Sequence, residues 1–234
     1  MFIFKGSVLK MPELPMPLWV AVFLFFGSLV LGSLGAMFGM SKGEPDSLQQ
    51  LAWISGGAVC AQIPIVFVYS MFVKPTEFKQ SVRTILITFF LFTPLALGTA
   101  GLAHALFSTI GWERPNELGH ETLQHLQNAE FSPSVIVVVL AATLGAGVVE
   151  EICFRGVLLP SLPKIFPHIS VWGAIVTTSV IFSSMHIGAV PLSSLLGLVV
   201  LSVGLCWARA KSGGVFAPIC IHILFNAFNV AFVL

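Results

Sequence analysis

Charge is what this sequence has least of: Asp, Glu, Lys and Arg together make up 9% of its 234 residues, against roughly a quarter in an ordinary soluble domain. That scarcity excludes a water-soluble globular protein. The net charge of +1 comes with no basic cluster, which excludes a nucleic-acid partner. The four cysteines, Cys60, Cys153, Cys206 and Cys220, stand singly in apolar runs without metal-ligand spacing and read as small buried side chains. There is no HExxH pair, no repeat at a fixed period and no low-complexity tract.

What is present is apolar: 56% of residues are hydrophobic and the mean hydropathy is +0.97. Against a span length of roughly 17 to 25 residues, the apolar runs predict seven transmembrane helices, at about 16–39, 49–73, 83–111, 133–160, 168–188, 190–209 and 214–234. The expected fold is therefore all-α, a polytopic membrane helix bundle. Seven spans and their loops consume the whole length, so residues 1–234 read as one transmembrane domain. The first run is longer than a secretory h-region and reads as a retained signal anchor rather than a cleaved peptide.

Placing the N-terminus in the cytoplasm puts Lys5, Lys10, Lys74, Lys79, Arg83, Lys164, Arg209 and Lys211 on the inner side, and only Lys42 and Arg114 outside. The protein is expected in the plasma membrane if prokaryotic and in the endoplasmic reticulum membrane if eukaryotic. The polar connection 112–132 contains Glu113, Glu117, Glu121, Glu130, His120 and His125. Leu118, Leu123 and Leu126 predict an interfacial helix there. Glu117, Glu121 and His125 recur every four residues, a spacing that suits a shared ligand but reads first as a solvated face.

Inside the spans the ionisable groups are His104, Glu150, Glu151, Arg155, His186 and His222, joined by the amide of Asn226. Polar groups at that depth are costly and mark function by default. His104 alone reads as a helix-to-helix hydrogen-bond donor. Glu151 and Arg155 are four apart with the acid first, the favourable order for a same-face ion pair. Glu150 lies about 100° around the helix from Glu151 and is left to act elsewhere. A buried carboxylate without a local partner is suited to accept a proton near neutral pH. His222 and Asn226, also four apart, face one space as donors to a developing oxyanion, while Glu150 with His186 is placed to hold and deprotonate a water.

Depths measured from inner ends at Pro160, His168 and Gly214, at about 1.5 Å per residue, put Glu150 near 15 Å, His222 near 12 Å and Asn226 near 18 Å. His186 comes out near 27 Å on the same ruler, too deep unless its helix tilts or begins later.

In order, Glu150-Glu151-x-x-Phe154-Arg155-Gly156, Phe182-x-x-x-His186 and His222-x-x-x-Asn226 resemble the three signatures of the CAAX protease and bacteriocin-processing enzyme family, which includes the type II CAAX prenyl endopeptidases. The approach Gly213-Gly-Val-Phe-Ala-Pro-Ile-Cys-Ile-His222 is similar to the family's pattern, and the resemblance covers about 133–229. It implies an all-helical glutamate-dependent intramembrane endopeptidase without a cofactor. Glu150 and His186 would activate water, His222 and Asn226 would stabilise the oxyanion, and Glu151, Arg155 and Phe182 would support the site. Its partners would be the bilayer and a membrane-associated peptide or protein, a prenylated CaaX sequence in some members and an unprenylated leader peptide or membrane protein in others.

Three rival readings use the same residues. One carboxylate and two histidines can hold zinc with an open fourth position, giving a zinc-dependent intramembrane protease. Cys153 with His186 would make a cysteine protease. Intramembrane Glu, His and Arg also suit a proton-coupled transporter or a non-catalytic scaffold, although no inverted repeat is present.

Overall fold

The structure, a computed structural model, describes residues 9–73, 78–114, 120–127 and 129–234. Among these residues eight helices follow one another: α1 (Leu18–Met40), α2 (Leu48–Ser70), α3 (Phe78–Thr109), the short α4 (Glu121–Leu126), α5 (Pro133–Ile165), α6 (Val171–Ser184), α7 (Leu192–Ser212) and α8 (Phe216–Ala231). Among the described residues there is no strand, only an isolated bridge between Ile187 and Val190. Large apolar side chains such as Trp19, Phe23, Phe90 and Leu102 face outward. That surface is stable against lipid and unstable against water. The protein is an all-helical integral membrane bundle.

Seven apolar helices occupy the seven predicted runs, but only five are long enough to cross a bilayer by themselves. The exceptions are α6 with 14 residues and α8 with 16. Local chemistry sets their ends. Ser170 caps α6 by accepting from the Gly173 N–H, and Gly188 at φ 90° with Pro191 turns the chain before α7. Gly213, at φ 75°, ends α7 and separates it from α8.

The helices pair as α1 with α2 and α3 with α7, while α6 lies on α7 and α8 lies against both α3 and α5. Glycine determines the closest approach. A Cβ on Gly35 would stand 2.2 Å from the Gly57 carbonyl oxygen, so α1 and α2 touch backbone to backbone. The small residues of α1 thus serve packing within the chain. Gly156 plays the same part where α5 meets Tyr69 of α2, whose hydroxyl would lie 2.6 Å from an added Cβ.

Helix α5 departs from α geometry twice, at Ala141–Gly145 and Ile152–Leu158, where it widens into π turns on either side of Glu150 and Glu151. In the second, hydrogen bonds running from i to i+5 would pair the Arg155 carbonyl with the N–H of residue 160, which is proline and has none. The Nε of Arg209 supplies the missing donor at 3.1 Å. Arg209 is therefore buried and belongs to the core, not to the inner loop where charge counting places it.

The polar connection also differs from expectation. Leu126 is fully buried and Leu123 packs beside it on Ala52, Val135, Val138 and Val230. Its leucines find an apolar cleft between α2, α5 and α8, and α4 packs over it. Leu118, Glu117 and the Glu121 side chain lie outside the described residues, and with them the four-residue ligand spacing.

Candidate active site

The buried charge is organised around Glu151 and Arg155, both with no exposed side-chain surface. Arg155 Nη1 donates to Glu151 Oε1 at 2.7 Å, and its Nη2 donates to Ser202 Oγ at 2.6 Å on α7. The guanidinium also stacks over the Phe182 ring at 4.5 Å. One cation thereby ties α5 to α6 and α7. His222 of α8 joins the same carboxylate, its Nδ1 donating to Glu151 Oε1 at 2.7 Å. Since a carboxylate accepts, the proton sits on Nδ1, and the imidazole turns Nε2 toward Glu150, 4.0 Å from its Oε2.

Glu150 is held differently. Its side chain is 30% exposed, and its Oε2 has no hydrogen-bond partner among the described residues. A cavity of about 870 Å³ opens beside it, lined by Glu150, His186, His222, Asn226, Phe182 and His120, among others. The four residues expected to carry chemistry thus reach one space from three segments of the bundle. Asn226 uses one amide hydrogen on the Ala142 carbonyl at 2.8 Å, inside the first π segment. The second hydrogen remains for another acceptor.

His186 lies past the last turn of α6, in the turn that leads to α7. Its Nδ1 donates to the Phe182 carbonyl at 3.0 Å, which leaves Nε2 as the basic nitrogen. The excess depth expected for it disappears with the observed helix ends. Glu150 is fifteen residues from Ile165 at the end of α5, and His186 is fifteen from Val171 at the start of α6. The two are thus equally far along the chain from those ends, with a π turn intervening in α5 and His186 two residues past α6.

Cys153 is buried among Val149, Phe154 and Phe182 and is not among the residues that line the cavity. No three His, Cys, Asp or Glu side chains converge at metal-binding distance among the described residues.

Sequence reasoning missed several supporting groups. Ser202 and Arg209 look like an ordinary small residue and a loop cation until the bundle closes. His104 binds Glu113, a residue expected in the solvated connection, through Nδ1 at 2.9 Å. Glu113 is buried, and its other oxygen accepts the Ser193 N–H at 2.7 Å, capping the start of α7. Desolvation pushes the Glu113 carboxyl up, but the hydrogen bonds from Ser193 and His104 outweigh it and hold the group below the usual carboxylate range. A carboxyl lowered in the folded state stabilises the fold above its unfolded pKa, and that stability is lost as pH falls through the folded value. Glu113→Gln is accordingly expected to cost about 1–3 kcal/mol at neutral pH. The difference in melting temperature from wild type should shrink on acidification, and a difference independent of pH would contradict the ionised clamp.

Fold and site together define a class: a membrane-embedded helix bundle with a mostly apolar cavity that has Glu150, His186 and His222 in its wall. Residues 132–228 match the family model described as type II CAAX prenyl endopeptidase, Rce1-like. No curated protein and no solved structure matches the chain. The matched stretch contains all three motifs, so the resemblance read from them is borne out, and it supports a CAAX-type intramembrane endopeptidase acting on a membrane-associated substrate.

Proposed function

We propose that the protein is a glutamate-dependent intramembrane endopeptidase, with Glu150 and His186 activating the water and His222 and Asn226 stabilising the oxyanion. The observation that carries this reading is the Glu150 carboxylate, 30% exposed on the cavity wall, while its neighbour Glu151 is fully buried and its Oε1 accepts from both Arg155 and His222. A water held between Glu150 and the basic Nε2 of His186 gives its proton to Glu150 as its oxygen forms the new bond to the scissile carbon. The carbonyl oxygen takes up the electron pair and is met by the spare Asn226 N–H. His222 contributes from Nε2 when its ring carries both protons, because Nδ1–H stays with Glu151. As the C–N bond breaks, the proton on Glu150 passes to the leaving nitrogen, giving a carboxyl and an amine terminus.

The surrounding low dielectric magnifies these interactions, since fixed donors act strongly where water is scarce. Glu151 and Arg155 hold the layer together, Phe182 packs between Arg155 and His186, and the region 133–229 acts as the catalytic core. Removing one oxyanion donor commonly costs about 10²–10³ in kcat, so Asn226→Ala is expected to lower kcat by that factor. KM should change little, and a rise in KM at constant kcat would move Asn226 from the oxyanion to ground-state binding.

The test of the whole reading is cleavage by purified protein of a fluorogenic farnesylated CaaX peptide and of the same peptide without the prenyl group. Wild type is expected to cleave at least one of them in the presence of a strong chelator. Activity lost to chelation and restored by zinc would support the metal reading instead. Flux in proteoliposomes without hydrolysis would support the transporter. The N-terminus is assigned to the cytoplasm from the Lys and Arg distribution, with Arg209 now omitted from the inner side. Cysteine labelling at positions 42 and 164 from opposite sides of the membrane checks that assignment.

A further inference from the structure

His120 lies outside the region that matches the family and outside the three motifs, yet its side chain lines the same cavity. Its ring stands edge-on to His186, with centroids 6.4 Å apart and planes at 83°. Resting on the reading that His186 acts on the hydrolytic water, we propose that His120 is a positioning residue that holds the His186 ring with Nε2 toward that water.

His186 needs such a neighbour. It lies beyond α6, and its hydrogen bond from Nδ1 to the Phe182 carbonyl fixes one atom of the ring. Phe182 covers one side, with centroids 5.0 Å apart. Phe182 is itself buried against Arg155 and Phe154, which fixes the turn but touches only one side of the His186 ring. His120 approaches from a different element and supplies the second wall.

His120 is itself fixed. Its Nδ1 accepts the Thr122 N–H at 3.1 Å, capping α4, so the proton of the neutral ring sits on Nε2. Burial, and secondarily the neighbouring His186, push its pKa down to about 4. It therefore stays neutral at working pH and adds no positive charge that would oppose proton uptake near His186. Leu126 and Leu123 pin the helix that follows into the bundle. The connection over the cavity thus contributes a rigid ring to the site.

Two substitutions separate the ring from the cap. His120→Asn keeps an N-cap acceptor and deletes the ring, whereas His120→Phe keeps an aromatic edge and loses the acceptor. Full-length protein labelled with ¹⁵N-histidine reports the His186 tautomer by NMR, assigned with His186→Gln. Wild type is expected to show His186 protonated on Nδ1 alone. His120→Asn should mix the two tautomers and lower kcat by about tenfold to a hundredfold, with KM within about twofold. His120→Phe should restore the single tautomer and most of the rate.

The same farnesylated and unprenylated peptides serve for the kinetics, with Glu150→Gln alongside. His120→Asn with a wild-type His186 tautomer, or with wild-type kcat, overturns the proposal. If Glu150→Gln cleaves normally, the functional reading fails, and the NMR comparison still decides whether His120 orders His186.

Discussion

Glu150→Gln is expected to abolish peptide cleavage while the protein melts at its wild-type temperature. The two effects separate because Glu150 lies at the cavity wall with His222 Nε2 no nearer than 4.0 Å, whereas Glu151 is fully buried and held by short hydrogen bonds from Arg155 and His222. Replacing an oxygen by an amide nitrogen of nearly equal size removes the proton acceptor and keeps the shape. A positioned general base contributes about 10²–10⁴ in rate, and loss of that factor in kcat, at unchanged KM, is the expected measurement. Cleavage at the wild-type rate by folded Glu150→Gln protein would sink the assignment. The corresponding change at Glu151 would not be a clean test, since Glu151 accepts from both Arg155 and His222.

Arg155→Ala has the opposite signature, a loss of stability that takes activity with it. The guanidinium is fully buried, donates to Glu151 and Ser202 and covers the Phe182 ring. Truncating it strands the Glu151 carboxylate with His222 alone and opens a void between α5, α6 and α7. Breaking a buried pair by removing one partner costs about 3–5 kcal/mol, which is a large share of the stability of a typical fold. The expected result is a marked fall in melting temperature in detergent. Arg155→Lys should recover only part of it, because an ammonium cannot reproduce the fork that reaches Glu151 and Ser202 together. An unchanged melting temperature for Arg155→Ala would show that the network contributes little to the fold.

The chemistry of the site was legible because few residues compete for attention. In a chain with 9% charge, Glu150, Glu151, Arg155, His186 and His222 stand out, and helical spacing already separates Glu151 from Glu150. The pairing of Glu151 with Arg155 needs four residues of one helix, so it is local and readable. The partners that come from other helices were not. Ser202 looks like any small polar residue in an apolar run, and Arg209 resembles a boundary cation because its neighbours Lys211 and Gly213 are boundary residues. Glu113 and His120 belong to a connection whose polarity suggests solvent; contacts with His104 and Ser193 bring the first inward, and the packing of α4 on the bundle the second.

Spans illustrate the same division. Hydropathy located all seven apolar helices, since lipid demands long uninterrupted runs, yet it overestimated α6 and α8. Their ends are set by Ser170, Gly188 and Gly213, single residues whose effect on the backbone is stronger than an averaged hydropathy. The π turns of α5 had no periodic signature either. Their carbonyls accept from donors on other helices, Asn226 at Ala142 and Arg209 at Arg155.

By itself, then, the sequence determined that this is a membrane-embedded helical protein and which ionisable side chains lie within its apolar helices, because both follow from composition and from spacing within one helix. Tertiary structure decided which partners beyond Arg155 hold Glu151, where α6 ends relative to His186, and which residues beyond the motifs border the cavity. Those outcomes depend on contacts between segments far apart in the chain, where a hydrogen bond of about 3 Å is gained or lost by a turn that no local pattern encodes.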